Sequence, residues 1–458
     1  MPTDATPSAD LQEVLQRGLK HVWRHGQPPI TTIEKHGPMA VSGSGMYIED
    51  AMGKRYLDGL SGGSAAATLG HGRADIAQAA YDQMTTLQWS SLRTFLNRPA
   101  IELGTQISEI TGGDFETSFY ACSGSEAVEV AVQIVKSYHR NKGNTSKQKF
   151  LYRTSGYHGT THIGASANSF RSSYADWFQP VMPGFVETAA CYAYRAEDPD
   201  TCESAAAALE ETILSEGPET IAGILAESIP SAWVLPPTPH YMRRLREICT
   251  KYDILWIDDE VFIGFGRTGK YFGYQHFDVV PDIITVSKGI TAGYIPLSAA
   301  VASPAVMKVI RGDDRTTWAN VAGHTYSGHA SACAAGLEVL DIIKREDLLA
   351  NVTRLGEHML NRFWEYAKDQ PLVGDVRGKG FLVGIEMVAN RETKERLPPE
   401  LGFSNKFVAR AMENNFMCRG SGDLVQLFPA LVAEDEHIDA IVDATIDAIE
   451  GTIDELGL

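Results

Sequence analysis

Cysteine is scarce in this chain. The six present, Cys122, Cys191, Cys202, Cys249, Cys333 and Cys418, are scattered and form no CxxC pair. That spacing leads us to expect neither a disulfide framework nor a zinc site. Basic residues are also short, with 40 Lys and Arg against 58 Asp and Glu and a formal charge of −18, which argues against a nucleic-acid partner. No run nears the roughly 20 apolar residues of a membrane span. The opening stretch, Met1 to Ser8, lacks the basic and apolar regions of a secretory leader. A soluble, cytoplasmic chain is expected. Metal-ligand patterns are missing too. His158 and His162 are four residues apart, but no Glu follows His158, and Asp258, Asp259 and Glu260 alternate faces along a strand and cannot converge on one ion.

What is present is apolar substance and alternation. Hydrophobic residues make up 44% of 458, enough for a large core and for two domains. Residues 1–65 read as a polar helix (Asp10 to Trp23), a loop and a hairpin, Met46 to Asp50 returning through Arg55 to Asp58. From Ala74 to about Tyr326, helical patterns at 74–87, 99–111, 125–139, 201–216 and 239–252 alternate with short apolar runs. The runs fall at 117–122, 149–153, 222–227, 254–259, 283–286 and 297–302. That alternation predicts an α/β fold with a mainly parallel sheet covered on both faces. A helix follows at about 330–345, then a strand at 381–387, a solvated loop at 391–400 and closing helices from Glu434. The expected domains are 66–330 and a smaller α/β unit from 331–458, completed by 1–65.

In such sheets ligands gather outside the carboxyl ends of the strands. Two residues stand there. Asp259 closes the run 254–259, and Lys288 follows the run 283–286 in Ser287-Lys288-Gly289. A lysine at a strand-to-loop junction can form a Schiff base with an aldehyde, and a carboxylate on a neighbouring strand can hold a pyridine nitrogen protonated. Together they describe a pyridoxal 5'-phosphate site. Ser123-Gly124-Ser125-Glu126 opens a helical pattern after an apolar strand. Alone it reads as an N-cap with a capping box, but beside the Asp/Lys pair it reads as a phosphate site on free N–H groups and the helix dipole. Tyr157, after the strand at 149–153, has the shape to lie on a planar ring. Gly264 to Lys270 matches GxGxxG and GxxxxGK formally. It lacks the following helix and the Ser or Thr that those motifs require, so it reads as a glycine-rich loop.

In this order and at these separations the motifs resemble the class III aminotransferases, a fold-type I pyridoxal-phosphate family, over about residues 20–450. The matching pieces are Ser123 to Ala127, Tyr157-His158-Gly159, Ile257 to Val261 leading into Gly264 to Gly269, Ser287 to Gly289, and His324 to His329. The resemblance implies that Lys288 carries the cofactor and Asp259 pairs with its ring nitrogen. At about 3 Å and an effective dielectric of about 20, that pair is worth ~5 kcal/mol. It further implies that Ser123, Gly124 and Ser125 hold the phosphate, Tyr157 and Val261 sandwich the ring, and Glu227 stands near it. Thr325 would reach the phosphate of a partner subunit, making a homodimer with sites at the interface. Arg419 resembles the arginine of the amine:pyruvate branch that clamps a keto acid's carboxylate and swings away for an uncharged amine.

The chain also departs from that branch. Ser228 replaces a proline, Pro230 to Trp233 replaces a glycine-rich stretch, and Gly62 to Ala65 replaces a tryptophan. Trp89 and Arg93 occupy a segment that often lines the pocket. The expected activity is an omega-aminotransferase acting on an amine and a keto acid, pyruvate above 2-oxoglutarate, with a pocket narrowed at Trp233 and opened near Ser64. A racemase or aminomutase of the same fold, or a non-catalytic relative, are the alternatives.

Overall fold

The structure, a computed structural model, describes residues 9–22, 39–169, 179–312 and 321–458. Among these residues three sheets form. The largest has seven strands, in spatial order Thr117–Ala121, Ser298–Ala302, Ile283–Val286, Leu255–Asp259, Ile221–Leu225, Lys149–Arg153 and Phe185–Thr188. Ser298–Ala302 runs antiparallel to both neighbours, and every other pair is parallel. The four strands from 221 to 302 are buried along their whole length. This is why their sequences are continuous apolar runs and do not alternate.

Both faces are covered. The helix Gly124–Asn141 lays Val128, Val132 and Val135 against Phe150, Ile257 and Ile283 on one face. The helices Glu203–Glu216 and Pro239–Lys251 lay Leu209, Ile213 and Leu245 against Leu151, Ile224 and Trp256 on the other. Each such side chain contributes about 1.5–3 kcal/mol by leaving water. Ile257 and Trp256 face opposite layers, so Asp259 shares the side of the 124–141 helix, while Asp258 and Glu260 share the other.

The remaining sheets involve both ends of the chain. Ala40–Ser44, Tyr47–Asp50 and Arg55–Asp58 form an antiparallel meander, to which the two-residue strand Phe416–Met417 adds in parallel. Val373–Lys379, Leu382–Asn390, Leu424–Leu427 and Arg419–Ser421 form an antiparallel sheet, with Glu395–Arg396 pairing on Leu382–Asn390. Helices Leu348–Asp369, Phe403–Glu413 and Asp435–Leu456 cover it. No helix among the described residues is long and apolar enough to cross a membrane.

Several expectations need correction. The segment after Glu434 forms one 22-residue helix, Asp435–Leu456. The charged 391–400 stretch is not wholly loop, because Glu395 and Arg396 find backbone partners on the adjacent strand. Trp23 lies outside the described residues, and the first helix is Ala9–His21. Cys191 and Cys202 form a disulfide, against the expectation of none. The loop after Phe185–Thr188 doubles back before the helix at 203, so two thiols without a recognisable spacing meet in the core.

Candidate active site

Asp259 ends its strand, and its register partner Thr285 lies three residues before Lys288 on the adjacent parallel strand. Adjacent parallel strands therefore deliver the carboxylate and the amine to one edge. Asp259 is buried and fully engaged: its Oδ2 lies 2.8 Å from Nδ1 of His158, and its Oδ1 accepts from Thr285 Oγ1 at 2.9 Å and from the Val261 N–H at 3.2 Å. These bonds aim the group. His158 is buried beneath it, with its Nε2 3.9 Å from Glu227 Oε2. Burial opposes charge on His158, but the hydrogen bond to Asp259 and the field of Glu227 outweigh that, and its pKa rises. Burial raises Glu227, against the pull of His158 and Arg153.

Lys288 sits in the left-handed region at φ 42°. A side chain there is strained, a condition found where the surroundings over-determine the backbone. Next to it, a Cβ on Gly289 would stand 2.9 Å from the carbonyl oxygen of Gly264, so only glycine permits this approach. The Lys288 Nζ lies 4.4 Å from the centre of the Phe262 ring. Burial lowers the amine to about 8; Asp259 opposes the shift, while Arg419 and Arg267 add to it. The wall behind Phe262 is Leu60, Ala65 and Phe428.

Ser123 caps the helix Gly124–Asn141. Its hydroxyl accepts from the Glu126 N–H at 3.2 Å, and Glu126 reaches back to the N–H groups of Cys122 and Ser123. The capping box therefore exists and occupies the Ser123 hydroxyl. It leaves the N–H groups of Gly124 and Ser125 without acceptors among the described residues, aimed from a positive helix end. A Cβ on Gly124 would stand 2.7 Å from Val261 Cγ1, so glycine brings the helix start against Val261. Ser125 Oγ accepts from the Thr160 N–H at 3.1 Å, and Gly159 packs directly on it. Tyr157 is exposed at this mouth, and its backbone N–H donates to Glu227 Oε1 at 3.4 Å. Arg419 is exposed at the head of its strand, its charge reaching Lys288 and Tyr157.

Three further expected residues, Trp89, Thr325 and Trp233, are held by contacts of their own. Trp89 donates its indole N–H to the Thr325 carbonyl at 3.2 Å and stands edge-on to Tyr326, so Trp89 and Thr325 form a separate exposed corner. Trp233 carries the Arg396 guanidinium 5.2 Å above its ring.

Sequence reasoning missed three features. His158 shows in the sequence only as one of a histidine pair at metal-ligand spacing, and its tie to Asp259 is visible only in the fold. Arg267, inside the glycine-rich loop, is completely buried; it donates to Ser61 Oγ at 3.0 Å and to the Pro429 carbonyl, and burial lowers it to about 9 despite Asp58. Asp258 and Glu260 are a buried acid pair behind Asp259, both pushed up by burial. Ser228, where the resembled family has proline, donates its N–H and hydroxyl to Asp258 at 2.6 and 2.5 Å. A proline has neither donor.

The family model described as Aminotransferase class-III matches residues 33–449. The chain is 36% identical over 460 residues to a taurine–pyruvate aminotransferase of Bilophila wadsworthia, covering 97% of this chain and 98% of that one. It is 33% identical to the solved thermostable (S)-enantioselective omega-transaminase of Thermomicrobium roseum, with a TM-score of 0.91 and coverage of 98% and 100%. The omega transaminase of Pseudomonas jessenii, solved in complex with PMP, is 30% identical with a TM-score of 0.91 over 97% and 99% of the two chains.

Proposed function

The chain belongs to the class-III aminotransferases, and from that premise we propose that it moves the amino group of a primary amine or omega-amino compound to pyruvate with pyridoxal 5'-phosphate. The observation that carries this reading is the meeting of Asp259 and Lys288 on neighbouring strand ends, with the amine drawn down to about 8 beside Arg419. The residues present fit the cofactor. The free N–H groups of Gly124 and Ser125 suit its phosphate, Val261 and Tyr157 suit its ring faces, and Asp259 suits its nitrogen. When bound, the cofactor supplies an electron sink and a carrier for the amino group.

The protein's share is positional and protonic. Asp259, held by His158 and Thr285, presents a carboxylate oxygen where a ring nitrogen needs one. Lys288 Nζ, with its lowered pKa, is substantially neutral near pH 8 and serves as the general base for the substrate's Cα proton. Arg419 clamps a keto acid's carboxylate bidentately and leaves room for an uncharged amine. Donor size is set in part by the segment 61–65. It carries no tryptophan, and a Cβ on Gly63 would meet nothing within 4 Å. A further solved neighbour, 31% identical with a TM-score of 0.91, is a variant engineered for asymmetric synthesis of enantiopure bulky amines. We extend the same preference for bulky donors to this chain.

We further place the sites in a homodimer. Phe95 and Leu96 are 68% and 72% exposed, and Tyr326 stands exposed beside Trp89 and Thr325, an apolar strip that a second copy would cover.

The test loads the protein with cofactor, reduces it with borohydride and maps the added mass. The mass should fall on the Lys288 peptide and vanish in Lys288→Ala. A donor–acceptor panel should show turnover with pyruvate. Label elsewhere, or sustained conversion of an amine with no keto acid present, would overturn the assignment.

A further inference from the structure

Cys191 and Cys202 are 2% and 0% exposed, with Cα atoms 5.5 Å apart, and they close a loop across a sequence separation of 11. Nothing in the proposed reaction uses them. What the segment carries is Tyr192, Tyr194 and Arg195, all directed at the C-terminal sheet. Arg195 reaches Glu386 Oε1 at 2.8 Å through Nε, and the Lys394 carbonyl at 2.8 Å. Lys394 Nζ returns to the Tyr194 carbonyl at 2.6 Å, and the Tyr192 hydroxyl donates to Glu386 Oε2. Glu386 is fully buried and shares Oε2 with Arg377 at 2.7 Å.

Arg377 faces the other way as well. Its Nε and Nη2 donate to the carbonyls of Val234 and Trp233 at 2.7 and 2.9 Å. Gln426 donates to the carbonyls of Ser231 and Ala232 at 3.2 and 2.9 Å. Gln426 is also the register partner of Arg419, so its side chain lies on the same sheet face. The loop 230–234 thus hangs from Arg377 and Gln426 next to Arg419, and Arg377 is in turn held through Glu386 by the disulfide-closed segment.

We propose that the Cys191–Cys202 pair is a redox-responsive modification site that positions the loop 230–234 of the donor pocket, acting through Glu386 and Arg377. This rests on the reading of that loop as pocket wall given above. The oxidant is a small-molecule disulfide of the glutathione type. The two thiols lose two protons and two electrons as their S–S bond forms by way of a mixed disulfide, the oxidant's S–S bond breaks, and two small thiols leave. Burial of both sulfurs means that exchange follows local opening of the segment, so the response is slow, on the order of minutes to hours. Arg377 and Glu386 are positioning residues here, since neither touches substrate.

The experiment uses the cofactor-loaded enzyme, incubated with oxidised glutathione or with dithiothreitol. Thiol titration after unfolding should find four thiols in the oxidised form, those of Cys122, Cys249, Cys333 and Cys418, and six in the reduced form. Reduction should raise hydrogen exchange in both 191–202 and 231–234. It should raise the amine KM about fivefold, the scale of one net hydrogen bond, with kcat moving less than about twofold. The Cys191→Ser/Cys202→Ser double variant should match the reduced enzyme and ignore both reagents. Six thiols after oxidation would overturn the proposal. So would exchange that rises in 191–202 while 231–234 stays protected, or a double variant that still responds to reductant. Thiol count and exchange are read without turnover, so their outcome stands whether or not the proposed reaction is correct.

Discussion

Replacing His158 with phenylalanine tests the site most sharply, because the change keeps a flat ring and removes both nitrogens. In the native chain His158 Nδ1 lies 2.8 Å from Asp259 Oδ2 and both groups are buried. Unit charges at that distance and an effective dielectric of about 20 attract by ~6 kcal/mol. Removing one member of a buried pair costs about 3–5 kcal/mol in practice. Asp259 keeps Thr285 and the Val261 N–H, which places the loss near the lower end, about 3 kcal/mol. At about 2 °C per kcal/mol for a long chain, His158→Phe should melt ~6 °C lower without cofactor. The gap should narrow when cofactor is added, because its ring nitrogen gives Asp259 a new partner. It should also depend on pH in a fixed sense. His158 has a folded pKa raised above its usual value near 6.5. Its contribution is therefore fully present below about 6.5 and is lost as pH rises through the raised value. With Asp259 less firmly aimed, kcat should fall about 10- to 100-fold. Calorimetry across pH, with and without cofactor, reads the first three effects. A variant that melts within 1 °C of the native protein by that measurement, or a gap that widens with rising pH, would refute the reasoning.

Three further outcomes follow from the same geometry. In the cofactor-free chain, the pH dependence of Lys288 modification by an amine-reactive reagent should have its midpoint near 8; Arg419→Gln removes a neighbouring positive charge and should move that midpoint upward. Gly124→Val would set a Cβ 2.7 Å from Val261 Cγ1; overpacking should cost about 1–3 kcal/mol in urea unfolding and weaken cofactor retention. Burial raises Glu260 to about 7, so its contribution is present below an unfolded value of about 4.3 and is lost as pH rises through 7. Glu260→Gln, which cannot ionise, should flatten the decline in melting temperature between about pH 4 and 7, and an equal decline in both proteins would disprove it.

The elements that sequence patterns fix by themselves were legible. The helix Ala74–Leu87 and the strands Lys149–Arg153 and Ile283–Val286 fall where periodicity and apolar runs put them. Asp259 and Lys288 were legible for the same reason, since strand ends in a parallel sheet are predictable places. What stayed hidden depends on distant partners. His158 meets Asp259 across 101 residues, and Arg267 meets Pro429 across 162. The strand Phe185–Thr188 is a short edge with a single neighbour, and its four residues offer little pattern. Cys191 and Cys202 read as two small apolar residues until the loop between them is seen to turn back. Helix Leu348–Asp369 is amphipathic and was passed over because no motif drew attention to it.

The parallel pairing of Phe416 with Leu57 and Met417 with Asp58 has a consequence for biosynthesis. Some 360 residues must be translated after Arg55–Asp58 before its last neighbour exists. At about 5–20 residues per second, that strand's outer edge waits on the order of half a minute on the ribosome. Nascent chains halted before residue 416 should therefore be bound by chaperones that favour open edges, and release should coincide with emergence of Phe416–Met417. Ribosome-bound chains of stepped length, probed by limited proteolysis at residues 55–58, would show this as a sharp gain in protection.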